Sequence, residues 1–173
     1  SIEIKVLELG FGTGLNALLT LIEADKLKQA IHYSAIELFP LSTEEAKQLN
    51  YCEQPGQSSY QTLFEKLHQC EWEKDILITP YFTLHKTKTN LITFSTNQSF
   101  NLVYFDAFAP NAQPELWTEE ILSKVAAQTR PGGVLVTYSS KGIVKRALAA
   151  VGFSVEKHKG PGKKWHVLRA VKI

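Results

Sequence analysis

Apolar and polar positions alternate along this chain with two periods, and the switches between them set the predicted elements. Residues 3–9 read as an apolar strand, and residues 14–29 carry Leu15, Leu18, Leu19 and Ile22 at the spacing of a one-sided helix. A short buried strand is predicted over 32–37. Ser42-Thr43-Glu44-Glu45 supplies a helix N-cap with an acid three residues on, which predicts a short helix to about Asn50. Residues 54–59 have the composition of a loop. Leu63, Phe64 and Leu67 predict a helix over 60–71, with His68 on its surface. Large and polar residues alternate over 81–87, and apolar residues resume over 90–94, which predicts a strand pair or one bent strand.

Residues 100–106 form a near-continuous apolar run ending in an acid, the pattern of a central parallel strand buried on both faces. After it come a loop at 107–110, a helix over 118–128, a turn at 131–133, a strand over 134–138 and a helix over 142–151. Two strands, 153–158 and 165–172, close the chain around a turn at 160–162. Seven strands with interleaved helices predict an open α/β sheet, mostly parallel with an antiparallel terminal hairpin. Such sheets bind ligands at the carboxyl ends of their strands. With no repeat or low-complexity tract, residues 1–173 are expected to form a single domain.

Composition narrows this picture. A chain of 173 residues, 44% hydrophobic and 21% charged, suits a globular core. No run approaches the roughly 20 apolar residues of a membrane span, and no leader is visible, so a cytoplasmic protein is expected. Cys52 and Cys70 lack metal-ligand spacing and are expected to be reduced thiols, with no metal site. The chain opens at Ser1, just before the first strand, and contains no methionine; it reads as a processed chain or fragment lacking an N-terminal extension. The net charge of +2 conceals a split. Residues 1–140 hold 16 acidic against 10 basic side chains, whereas residues 141–173 hold 9 basic side chains against Glu156 alone. A local basic field of that kind can steer a polyanion, and nucleic acid is the first partner to consider.

The candidate chemistry begins at Glu8-Leu9-Gly10-Phe11-Gly12-Thr13-Gly14-Leu15-Asn16, where a strand passes through alternating glycines into a helix. Glycines let the backbone turn tightly and approach a ligand, and the N–H groups of the following helix point at whatever lies over the loop. The third glycine falls one residue early for the dinucleotide fingerprint G-x-G-x-x-G. Glu37, 23 residues after Gly14, ends the next strand, where a doubly wound fold places a carboxylate for the ribose hydroxyls. Asp106 ends the central strand, where a carboxylate can orient an acceptor amine.

The pattern E-x-G-x-G-x-G resembles the first motif of S-adenosylmethionine-dependent methyltransferases, which implies a Rossmann-like fold and that cofactor. Residues 104–118, Tyr-Phe-Asp-Ala-Phe-Ala-Pro-Asn-Ala-Gln-Pro-Glu-Leu-Trp-Thr, with Thr137-Tyr138-Ser139-Ser140-Lys141-Gly142, Val144-Lys145-Arg146-Ala147-Leu148 and Gly152-Phe153, are similar to the MnmC-type family that methylates the wobble uridine of tRNA. The resemblance spans nearly the whole chain. It departs at Lys164-Trp165-His166-Val167, where the family has Lys-Arg-Glu-Met.

The resemblance implies N-methylation of 5-aminomethyl-2-thiouridine. Glu8, Gly10, Gly12, Gly14, Asn16 and Glu37 would serve the cofactor, and Asp106 would face the acceptor amine. Phe108, Pro110 and Tyr138 would shape the base pocket. Lys141, Lys145 and Arg146, with Lys163 and Lys164, would follow the phosphates of a tRNA anticodon stem-loop. It implies as well an oxidase, separate or fused, in the same pathway. Three alternatives stay open on sequence: a small-molecule methyltransferase, a nicotinamide-dependent oxidoreductase and a non-catalytic tRNA-binding module.

Overall fold

In a computed structural model of the chain, residues 2–49, 58–106, 114–139, 142–159 and 166–173 are described. Eight strands and five α-helices form among them, and the chain divides into two compact units. One unit joins Ser1–Ile4 to Gly10–Thr89; the other joins Lys5–Leu9 to Asn90–Ile173.

After β1 (Ile4–Leu9) the first unit holds α1 (Leu15–Leu27), β2 (Ile31–Ile36), α2 (Thr43–Lys47), α3 (Gln61–Gln69), β3 (Asp75–Thr79) and β4 (Phe82–Thr87). Ala17, Leu18, Leu21 and Ala24 make the buried stripe of α1, which ends at Lys28 in a left-handed cap. Ser42 and Glu45 close a reciprocal capping box on α2, each bond 3.1 Å. β2 and β4 pair in parallel, and β3 adds to β4 antiparallel at the sheet's edge, with a register shift between Leu77 and Thr79. Asp75 of β3 accepts hydrogen bonds on one oxygen from His32 of β2 (3.0 Å) and His85 of β4 (2.8 Å). Phe82, Leu84 and Lys86 alternate inward along β4, so strand periodicity carries a lysine into the core.

The second unit holds β5 (Phe100–Phe105), α4 (Glu119–Ala127), β6 (Thr129–Thr137), α5 (Gly142–Ala150), β7 (Phe153–Lys159) and β8 (His166–Lys172). Its strands run β1-β5-β6-β8-β7, parallel from β1 to β6 and antiparallel beyond. Leu9 of β1 lies opposite Phe105 of β5, so those two strands end at one level. Thr118 caps α4, whose Ile121, Leu122, Val125 and Ala126 are buried. The Trp117 ring meets Phe105 edge-on, with centroids 4.5 Å apart.

Four sequence expectations change. The strands number eight, not seven, because 75–79 forms an edge strand whose Asp-Ile-Leu-Ile-Thr run does not alternate. Residues 90–94 are not a strand. The Asn90 side chain accepts from Thr93 N and Oγ1, the Asn90 carbonyl accepts from Phe94 N, and Lys124 takes the Leu91 and Ile92 carbonyls. Pro131-Gly132-Gly133 lies inside β6, where pairing with β5 jumps from Thr129 opposite Phe100 to Val134 opposite Leu102. His68 is half-buried, as described below. The predicted turn at 160–162 lies outside the described residues.

The bulge in β6 leaves no room at Gly133. A Cβ there would stand 2.8 Å from the Arg130 carbonyl oxygen, 2.9 Å from Thr129 Cγ2 and 3.0 Å from the Phe100 carbonyl oxygen. Two of those atoms are backbone and cannot rotate away. Gly133→Ala is expected to lower stability by about 1–3 kcal/mol, read as a shift in the urea midpoint; an unchanged midpoint would contradict this packing.

Candidate functional site

The loop between β1 and α1 is built on three left-handed glycines, Gly10 (φ 98°), Gly12 (φ 56°) and Gly14 (φ 82°). Gly10 N and Phe11 N both donate to the Ile36 carbonyl at the end of β2 (3.0 and 3.1 Å), and Gly14 N returns to the Phe11 carbonyl (3.0 Å). Gly12 N donates to Glu37 Oε1 at 2.9 Å, while Leu38 N (3.1 Å) and Phe39 N (3.5 Å) donate to Oε2. Three backbone donors therefore fix the Glu37 carboxylate, and each oxygen retains acceptor capacity. Among the described residues, a Cβ built on exposed Gly12 would meet nothing within 4 Å, so the loop has open space beside that position. Phe39, 74% exposed, and Leu38 supply apolar surface directly after the acid.

Gly14 is the N-cap of α1; no side chain caps it and no acid occupies the first turn. A helix start of that kind suits a carboxylate. Asn16 sits half-buried in this turn, its carbonyl accepting from Thr20 Oγ1 at 2.7 Å. A nucleoside carrying an amino-acid tail fits these groups: diol to Glu37, base to apolar surface, tail carboxylate to the helix start.

Beneath the loop lies a support that the sequence reading placed on a helix surface. His68 Nε2 donates to the Thr13 carbonyl at 2.7 Å, and its ring meets Phe11 and Phe64 edge-on, with centroids 5.4 and 5.0 Å away. A Cβ on Gly14 would come within 3.0 Å of His68 Nε2 and 3.1 Å of Phe11 Cζ. Lys86, 1% exposed, donates to the Leu67 and His68 carbonyls (2.8 and 3.0 Å) and lies over the Trp72 ring at 4.7 Å. Burial lowers the Lys86 pKa, with Cys70 acting in the opposite direction. Burial also lowers the His68 pKa; the bond to Thr13 opposes that shift and the Lys86 charge adds to it. A recess between α2 and α3, walled by Leu41, Thr43, Lys47, Phe64 and His68 among others, shares Phe64 and His68 with this arrangement.

Both residues left a signal in the sequence. His68 falls four positions after Phe64 and one after Leu67, on the buried face of α3, and Lys86 shares the parity of Phe82 and Leu84.

In the second unit, Asp106 follows β5 and is half-buried, and Tyr138 follows β6 with 47% of its surface exposed. Burial and then the Asp106 charge raise the Tyr138 pKa, so the phenol stays protonated beside a carboxylate. Glu8 is buried within β1, opposite Tyr104. Lys145 and Arg146 are exposed on α5. Phe108, Pro110, Lys141, Lys163 and Lys164 lie outside the described residues. Among the described residues no cluster of metal-ligating side chains forms, and no helix is long and apolar enough to cross a membrane.

Residues 47–173 match the family described as S-adenosyl-L-methionine-dependent methyltransferase. The chain is similar to MnmC2 from Aquifex aeolicus, at 25% identity and a TM-score of 0.77 over 97% of this chain and 53% of that one. It therefore spans about half the length of that relative. Its fold is also similar to the N-methyltransferase NodS from Bradyrhizobium japonicum WM9, solved with S-adenosyl-L-homocysteine (14% identity, TM-score 0.58, 98% of this chain and 78% of that one). A further likeness is to spermidine synthase from Thermotoga maritima (19% identity, TM-score 0.59, 98% and 54%).

The depressed His68 pKa fixes a pH dependence. The folded protein binds this proton less tightly than the unfolded chain, so protonation favours unfolding. The stabilisation is full above the ordinary histidine value of about 6.5, declines as pH falls through it and is lost below the folded pKa. Urea denaturation between pH 8 and pH 5, both chosen to bracket about 6.5, is expected to show this loss in the wild type and a smaller one in His68→Gln. Identical profiles would remove His68 from the acid sensitivity.

Proposed function

Since the chain belongs to the S-adenosyl-L-methionine-dependent methyltransferases, with that compound as its cofactor, we propose that it N-methylates the 5-aminomethyl group of 5-aminomethyl-2-thiouridine at the wobble position of tRNA. The observation that carries this reading is the likeness to MnmC2 over 97% of this chain, joined to the Asp106-Ala-Phe-Ala-Pro and Pro114-Glu-Leu-Trp117 segments. The exposed Lys145 and Arg146, in a stretch rich in basic residues, support a polyanionic acceptor.

On this reading Glu37 holds the ribose, the loop backbone and the start of α1 hold the methionine portion, and Leu38 and Phe39 cover the adenine. Bound there, S-adenosyl-L-methionine supplies an electrophilic methyl carbon on a positively charged sulfur. Asp106 orients the lone pair of the neutral acceptor amine and takes the proton that the amine sheds as its bond to carbon forms. Tyr138, held as a phenol, gives the target base a face to stack on. The wobble base is unpaired in its loop, so presenting it costs little.

Mass spectrometry of wobble nucleosides from cells lacking this protein tests the proposal: 5-aminomethyl-2-thiouridine is expected to accumulate, and an unchanged nucleoside profile would overturn it. Two variants separate the roles. Asp106→Ala is expected to keep its affinity for S-adenosylhomocysteine and lose about a hundredfold or more of methyl transfer to tRNA. Glu37→Ala is expected to weaken S-adenosylhomocysteine binding by about ten- to a hundredfold by calorimetry, as loss of a charged hydrogen-bond acceptor implies.

A further inference from the structure

Which peptide planes of the glycine loop are fixed, and by what, follows from its hydrogen bonds. The Phe11–Gly12 peptide is held at both ends, its carbonyl accepting from Gly14 N and its N–H donating to Glu37. The Thr13–Gly14 peptide is held likewise: its N–H donates to the Phe11 carbonyl at 3.0 Å, and its carbonyl accepts from His68 Nε2 at 2.7 Å. The Gly12–Thr13 peptide lies between two fixed planes. Glycine permits many orientations there, and with φ positive at both Gly12 and Gly14 neither neighbour restrains the loop by its own side chain.

A carbonyl acceptor requires the proton of a neutral imidazole to sit on Nε2. The ring's direction is set by Phe11 and Phe64 on its edges, and the last turn of α3 is anchored through its carbonyls to the buried Lys86 ammonium. The bond thus joins the loop to a rigid support 55 residues away in sequence.

We infer that His68 is a positioning residue for cofactor binding: by holding the Thr13 carbonyl it fixes the Gly12-Thr13-Gly14 backbone in the orientation that receives S-adenosyl-L-methionine. The inference rests on the reading of this loop as the cofactor loop. His68 itself touches neither cofactor nor acceptor in this role, and its effect is on affinity rather than on the chemical step.

The test compares wild type, His68→Phe, which fills similar space without a donor, and His68→Gln, which keeps one. With S-adenosylhomocysteine as probe, calorimetry is expected to show Kd raised about tenfold in the Phe variant, the loss of one hydrogen bond's orienting effect, and near wild type in the Gln variant. Steady-state kinetics should place the Phe effect in the cofactor KM, with kcat retained. Nitrogen NMR of the ligand-free wild type should show His68 as the neutral Nε2–H tautomer, a readout that does not depend on how well the variants fold. Equal Kd for wild type and His68→Phe, or a neutral Nδ1–H tautomer, would overturn the inference and leave the cofactor reading intact. Failure of the wild type to bind S-adenosylhomocysteine would overturn both.

Discussion

Backbone polar groups crowded into a tight turn must each find a partner, and the passage from β1 to α1 meets that constraint with partners from three directions. The end of β2 takes two loop N–H groups on one carbonyl, the carboxylate after β2 takes a third, and α3 reaches up to the Thr13 carbonyl. Residues in and beyond the loop answer to these bonds. Gly14, at positive φ, would crowd the imidazole and Phe11 if it carried a Cβ, and Lys86 satisfies two carbonyls in the last turn of α3. A buried ammonium is tolerable only when its donors are satisfied, and two carbonyls with an aromatic face supply that.

The parts legible in the sequence are those written in neighbouring residues. Alternating glycines between an apolar strand and a helix specify a left-handed turn locally, and all three have positive φ. Ser42 with Glu45 and Thr118 ahead of α4 announce their caps within four residues. What escaped depends on partners far along the chain. His68 meets Thr13 across 55 positions, and Lys86 meets Leu67 across 19, so periodicity could show both as inward-facing but not what they touch. Residues 90–94 looked like a strand because Leu91, Ile92 and Phe94 are apolar, yet Asn90 folded the backbone onto itself and Lys124 occupied two carbonyls a ladder would have used.

The structure refines the charge asymmetry as well. Glu156 lies 3.6 Å from Arg169, so one positive group of the C-terminal stretch already has a neighbour of opposite sign. Lys145 and Arg146 stand exposed together on one helix. Attraction between such exposed charges and a phosphate backbone decays over about 8–10 Å at ordinary ionic strength. On the proposed reading such a field would guide approach at short range and leave discrimination among partners to contacts nearer the site.

The edge strand β3 bears on a different hazard. A strand with one neighbour presents unpaired amides and carbonyls to solvent, and Leu77 on this one is 62% exposed, an invitation to strand addition by another molecule. The register shift after Leu77 twists the rim out of line, Lys66 reaches the Leu77 carbonyl at 3.5 Å, and Asp75 plants a charge at the strand's start. An irregularity that looks like a defect in pairing thereby makes the border a poor template for fibril growth.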